Sequence, residues 1–223
     1  MKDWGFLIKE ANQAIDKATL AKINNMKYGE KKKTWEVSEK VTIGWETILP
    51  VPPANGSVFT RSELLEISDM TQNVTSEQVD LVRLVDDDPN HLFEKTIKKH
   101  GLRRPQEEFD KAWSIVKPVI MNLKWKFNRP RPYQLADMYR IKINVIETET
   151  HHTPSYPSGH TAYAAVMCYI LAEMYPEHSS EIFSKVDLAG TARVLQGVHF
   201  PFDNDASMVA VGALWQDIKH EII

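Results

Sequence analysis

From Thr161 to Met174 the chain is apolar almost without interruption, and Glu173 is its one charged residue. A helix that is apolar on every side must be covered on every side, so it belongs at the centre of a fold. It is also shorter than the roughly 20 residues a helix needs to cross a bilayer. Other elements must therefore wrap it, and their periodicity is helical as well. Trp4, Leu7, Ile8, Ala11 and Ile15 recur at three- and four-residue steps, which predicts a helix with one apolar face. Phe109, Trp113, Val116, Ile120 and Leu123 predict a long helix that begins at Pro105-Gln106-Glu107-Glu108 and has Lys124 near its end.

Further helices are expected over 76–84, from Asp88-Pro89 to Gly101, over 180–196 and over 203–223. Pro50, Pro52, Pro53 and Asn55-Gly56 make Trp45 to Ser57 a loop, and Thr60 with Glu63 reads as a capping box opening the next helix. Strand-like alternation is weak apart from a short extended piece over 141–146. The expected fold is all-α, a single-domain helical bundle around a central apolar helix. Residues 104–223 form its chemical core and 1–103 a helical N-terminal part.

The 223 residues, 43% of them hydrophobic, suffice for one sizeable core. With a formal net charge of -3 there is no global pull toward nucleic acid or an anionic membrane, so any anion site must be built locally from a few cations. The single cysteine, Cys168, excludes an intramolecular disulfide and a cysteine-based zinc cluster, and its apolar setting predicts a buried, unreactive thiol. The start, Met1-Lys2-Asp3-Trp4, has no apolar core followed by a small-residue cleavage site, so the expectation is a soluble, cytoplasmic protein without membrane insertion. Lys31-Lys32-Lys33 reads as a solvated run. Asp86-Asp87-Asp88 reads as the acidic N-terminal flank of a helix rather than a metal site.

Three stretches carry chemistry. Pro157-Ser158-Gly159-His160 leads straight into the central helix, whose N-terminus leaves backbone N–H groups unpaired and partly positive. Gly159 lets the backbone approach an anion, Ser158 can donate to it, and His160 can protonate a leaving oxygen. Taken alone, Ser-Gly here is equally well a capping turn. Lys124 and Arg131 flank the end of the long helix and suit a phosphate, or else form a solvated basic end. Arg129 competes with Arg131, but only Arg131 has a lysine seven residues before it; Asn122 stands at that offset from Arg129.

In the third stretch, Arg193, His199 and Asp203 interrupt apolar or small neighbours. Asp203 can fix the tautomer of His199 and leave its other nitrogen free to attack phosphorus, or the two are a structural pair. Together the three stretches are the parts for moving a tetrahedral dianion, and phosphate ester cleavage is the reaction they point to.

Lys124-x6-Arg131-Pro132, Pro157-Ser158-Gly159-His160 and Arg193-x5-His199-x3-Asp203 resemble the three-part signature of the type 2 phosphatidic acid phosphatase (PAP2) superfamily, which includes soluble acid phosphatases and vanadium haloperoxidases. The resemblance runs from Lys124 to Asp203. It implies a PAP2/haloperoxidase-like helical fold and a metal-independent phosphatase acting on a soluble phosphomonoester or pyrophosphate. His199 would be the nucleophile of a phosphohistidine intermediate, Asp203 its orienter and His160 the general acid. Lys124, Arg131, Arg193, Ser158 and the Gly159 amide would hold the phosphoryl oxygens. One departure is visible: the family usually has Ser before the third-motif Arg, and here it is Ala192. One hydrogen bond is then missing, or Thr191 supplies it.

The implied partner is a small phosphorylated molecule, not nucleic acid, and a homo-oligomer stays open. No cofactor is expected, unless the chain is the alternative vanadate-dependent haloperoxidase, whose vanadate the same cage would hold. A phosphoryl-ligand binder without catalysis is a further alternative. His151, His152, His160 and His199 with Asp203 and Asp205 also suggest a metal hydrolase, but three cations beside a divalent metal would repel it. His151-His152 is expected in a loop rimming the pocket.

Overall fold

The structure is a computed structural model and describes residues 15–31 and 33–223. Among these, nine α-helices account for the regular structure together with two short 3-10 turns, and no strand occurs. They are α1 (Lys17–Asn25), α2 (Val58–Gln72), α3 (Ser76–Asp87), α4 (His91–His100), α5 (Gln106–Phe127), α6 (Pro132–Tyr139), α7 (Gly159–Met174), α8 (Ser179–Leu195) and α9 (Pro201–Ile222). The predicted helix with Trp4, Leu7, Ile8 and Ala11 lies outside the described residues.

The apolar helix α7 takes the centre. It packs on α8, α9 and α5, and its Ala162, Ala165, Val166, Cys168, Ile170 and Leu171 are buried. Leu123, Val119 and Val116 of α5 and Val211, Leu214 and Ile218 of α9 complete that core. Each such side chain contributes about 1.5–3 kcal/mol by leaving water. A second cluster joins Leu64 and Ile67 of α2 to Leu135 of α6, Val194 of α8 and Phe200. The α2 helix is thereby tied to the end of the bundle where α8 meets α9.

Several helix ends differ from expectation for local reasons. Ser57, not Thr60, caps α2, because its side chain accepts from Thr60 N. Glu63 then has no capping part and is buried. The α4 helix begins at His91, since the Asp88 carboxylate accepts from Asn90 N and turns the chain first. Asp86 and Asp87 close α3 instead of opening the next helix.

The short helix α6 was not predicted. Pro132 occupies its first turn, and Gln134 Oε1 accepts from Arg131 N at 2.8 Å. Residues 141–146 run between elements without strand pairing. Gly197, at φ 81, reverses the chain between α8 and α9, and a Cβ there would lie 2.8 Å from Ile143 Cγ2. That turn brings His199 back beside the end of α8 that carries Arg193.

Candidate active site

The ends of five helices converge at one end of the bundle. Lys124 sits in the last turn of α5, which Asn128 ends in a left-handed conformation at φ 50. Arg131 is the N-cap of α6, Ser158 of α7, and Arg193 lies in the last turn of α8. His199 immediately precedes the α9 N-cap Phe200, and Asp203 lies in the first turn of α9. Backbone bonds stitch these ends together: Ser155 N donates to Arg129 O and Ser158 N to Asp203 O, both at 3.0 Å. The α7 and α9 N-termini are therefore fixed against each other.

Lys124, Arg131, Gly159, His160, Arg193 and His199 line one cavity of about 450 Å³. Asp203 lies behind His199 and is fully buried. Ser158 is fully buried too; its hydroxyl bonds Thr161 Oγ1 at 2.9 Å, and it does not line the cavity. Thr191 is exposed and lines a different depression beside Asn204, so it does not stand in for the serine that Ala192 lacks. His151 is buried edge-on to Tyr133 and His152 is exposed; Thr150 and Thr153 line the cavity in their place.

The cations are held mostly by backbone carbonyls. Lys124 Nζ donates to Pro154 O at 2.7 Å and Ser155 O at 3.3 Å. Arg131 donates to Thr153 O and, through Nη1, to Val198 O at 2.8 Å. Arg131 Nη1 also lies 3.1 Å from His199 Nε2. A guanidinium can only donate, so Nε2 accepts and the ring proton sits on Nδ1. That proton goes to Asp203 Oδ2 at 3.1 Å. Burial pushes His199 well below the usual histidine range, and Arg131, Lys124 and Arg193 push the same way. The imidazole is neutral, with its lone pair on the nitrogen nearest the cations.

Three buried cations crowded in this way disfavour one another. Burial, then Arg131, holds Lys124 well below the ordinary lysine range, and burial followed by Arg193 pushes Arg131 down to about 10. Arg193 Nε is buried with no hydrogen-bond partner. A tetrahedral anion in the cavity would relieve the repulsion. Among the described residues, no group of three His, Cys, Asp or Glu side chains is disposed to hold a metal ion.

Sequence reasoning missed three residues at this end of the fold. By its local sequence Asp86 reads as a helix flank, yet its Oδ1 accepts from Arg193 Nη1 at 2.6 Å and from the Thr150 hydroxyl. It also lies 4.0 Å from His160 Nε2. Burial works to raise Asp86, but the Thr150 hydroxyl and Arg193 outweigh it, so the carboxylate stays ionised. Burial and then Arg193 depress His160 to about 3 against the pull of Asp86.

Arg129, set aside in favour of Arg131, is buried between two carboxylates. Its Nη1 donates to Asp203 Oδ1 at 2.7 Å and its Nη2 to Glu63 Oε2 at 3.3 Å. Glu63 is pushed up to about 7 by burial, with Arg129 opposing. Removing one member of so buried a set costs about 3–5 kcal/mol, because it leaves a charge without its partner. The signal for Glu63 was periodicity: it shares the buried face of α2 with Leu64 and Ile67.

Residues 113–216 match the family model described as the PAP2 superfamily, and all three motifs fall inside that span. A non-specific acid phosphatase of Salmonella typhimurium (strain LT2) is 28% identical over 122 residues, which covers 51% of this chain and 48% of that protein. A non-specific acid phosphatase of Providencia stuartii is 41% identical over 92 residues, covering 41% of this chain and 37% of that protein. The alignments thus span half or less of the curated relatives' own length. A transmembrane PAP2 type phosphatidylglycerolphosphate phosphatase from Bacillus subtilis aligns over 99% of this chain and 95% of that one, at 16% identity and a TM-score of 0.39, too distant to argue from.

Proposed function

We propose, for a chain whose residues 113–216 match the PAP2 superfamily model, that it is a phosphatase which cleaves phosphoric esters by way of a phosphorylated His199. The observation that carries this reading is the neutral imidazole: Nδ1 donates to Asp203, while Nε2 faces three buried cations in the cavity. The curated relatives, named acid phosphatases, support a hydrolase over the peroxidase use of the same cage.

Lys124, Arg131, Arg193 and the Gly159 N–H at the α7 N-terminus bind the phosphoryl oxygens. The lone pair of His199 Nε2 then attacks phosphorus, the Nε2–P bond forms and the bond to the leaving oxygen breaks. His160, which takes up a proton when the phosphate dianion binds beside it, gives that proton to the leaving oxygen. The ring becomes cationic, and the Asp203 carboxylate on Nδ1 stabilises it. In the second half, His160 takes a proton from water, whose oxygen attacks phosphorus. The P–N bond breaks, its electrons return to Nε2, and phosphate leaves. The fixed cations stabilise the charge that builds on the equatorial oxygens.

A fixed cationic cage does the work that a divalent ion does in other phosphatases. Protein dialysed against chelator is therefore expected to hydrolyse p-nitrophenyl phosphate at its undiminished rate. Loss of activity that a divalent ion restores would overturn the reading.

The cavity continues away from the cations along α5. Trp113, Lys117, Met121 and Lys124 fall on one face of the helix, and Tyr163 of α7 packs edge-on to Trp113 with centroids 4.9 Å apart. At 1.5 Å per residue, Trp113 lies ~16 Å along the helix from Lys124. That length and apolar surface suit a small phosphorylated molecule with an extended carbon body. Trp113→Ala is expected to raise KM by about tenfold for a phosphate ester whose carbon body is long enough to span that distance, while glycerol phosphate, too short to reach, changes little. Equal changes for both substrates would place the leaving group elsewhere.

A further inference from the structure

We propose that Glu63 and Arg129 are positioning residues for the His199–Asp203 pair, holding the Asp203 carboxylate in the orientation that keeps the imidazole proton on Nδ1. The proposal rests on the reading of His199 as nucleophile. Arg129 occupies only an unspecified position between Lys124 and Arg131, and Glu63 lies outside all three motifs and outside the segment that matches the family.

The argument is a closed ring of bonds around the start of α9. Asp203 Oδ2 accepts from His199 Nδ1 at 3.1 Å and from Phe200 N at 3.0 Å. Its other oxygen, Oδ1, is taken by Arg129 Nη1 at 2.7 Å. Both oxygens are committed, so the plane of the carboxylate is set by what Arg129 does. Arg129 is in turn fixed from two directions. Its Nη2 bonds Glu63 Oε2, and its guanidinium lies over the Phe200 ring, 3.8 Å from the centroid. Glu63 Oε1 closes the ring by accepting from Phe202 N at 2.8 Å. Every residue from His199 to Asp203 except Pro201 is thus gripped by one of these groups.

Arg129 does not line the cavity, and both its terminal nitrogens are used. It therefore acts through Asp203 and not on the phosphate. A set of buried charges is a poor way to gain stability alone, since apolar residues of the same volume often serve better. What charges add is orientation. Two carboxylates on two nitrogens of one planar fork have a fixed geometry that a lysine cannot reproduce.

The test compares Glu63→Gln and Arg129→Lys with the wild type by two readouts. One is the kcat against KM split on p-nitrophenyl phosphate. The other is the hydrogen-bonded Nδ1 proton of His199 in 15N-histidine-labelled protein, assigned by its loss in His199→Gln. Assayed above pH 7, where the Glu63 carboxyl is charged, folded Glu63→Gln, checked by circular dichroism, is expected to lose about tenfold or more in kcat with KM within about twofold of wild type. Its Nδ1 proton should shift or broaden, and Arg129→Lys should show the larger change in both. A folded Glu63→Gln with an unmoved Nδ1 proton and kcat within about twofold of wild type would overturn the proposal.

If wild type hydrolyses no phosphate ester, the proposed function falls, and the Nδ1 resonance alone decides the positioning claim. Should neither variant fold, the wild type decides. The charged groups facing Glu63 are Arg129, from the link between α5 and α6, and Asp203, from α9, while His199 itself ionises far lower. The Nδ1 resonance should then move together with the titration of the Glu63 carboxyl, followed by its own 13C signal, and an Nδ1 resonance that stays still while that carboxyl titrates would overturn the proposal.

Discussion

Replacing His199 by alanine is expected to lower turnover by roughly 10⁴-fold or more on every substrate, because in the proposed mechanism it removes the atom to which phosphorus is transferred. The loss should not depend on the leaving group, since no substrate chemistry replaces a missing nucleophile. Binding of inorganic phosphate should survive in large part. Lys124, Arg131 and Arg193 are held by Pro154, Thr153, Val198 and Asp86 and do not need the imidazole to stay in place. Activity of His199→Ala is measured against phosphate binding by calorimetry on the same folded sample. Loss of both together would point to collapse of the cage rather than removal of a nucleophile.

The second large effect is selective. His160→Ala is expected to cost about 10²–10⁴-fold with alkyl phosphates, whose leaving alkoxides need a proton as they depart. A nitrophenyl ester leaves as a weak base and should lose much less in the first step. The state of His160 adds a pH consequence. In the empty site burial and Arg193 hold it at about 3, so it is neutral at any ordinary pH and has no proton to give. A bound phosphate brings negative charge beside it and raises that pKa. Between the empty and the loaded value, binding takes up a proton, and affinity for the dianion falls as pH rises through the loaded value. Calorimetry in buffers of different ionisation enthalpy should show more proton uptake in wild type than in His160→Ala. Equal uptake would assign the proton to another group.

The motifs were legible because their chemistry sits at helix ends, and helix ends have local signals. Gly159 and His160 open the apolar run, Lys124 closes the long amphipathic helix, and Gly197 marks the turn before His199. These spacings translate directly into a cavity wall. The residues that support them were not legible in the same way. Glu63 sits three residues after Thr60, and that local pattern read as a cap. Its partners, Arg129 and Phe202, are 66 and 139 residues away. Asp86 had a plausible local reading too, and only the approach of Arg193 from 107 residues later gives it a different one. Arg129 and Arg131 look alike in Arg-Pro-Arg-Pro. The fold separates them, because α6 begins at Pro132 and turns Arg131 toward His199 while Arg129 is left behind Asp203. The start of α6 is masked in the sequence for a related reason: Pro132, its first residue, lies inside the Arg-Pro-Arg-Pro run.

The most direct measurement follows the phosphorus. Wild-type protein mixed with 32P-labelled substrate and quenched within milliseconds into alkaline denaturant, where a P–N bond survives, should carry label on the chain. Brief acid treatment should release that label, as a phosphohistidine requires. His199→Ala should carry none, whereas His160→Ala given a nitrophenyl ester should still be labelled. A wild-type level of label on His199→Ala would show that another residue takes the phosphoryl group and would contradict the mechanism at its first step.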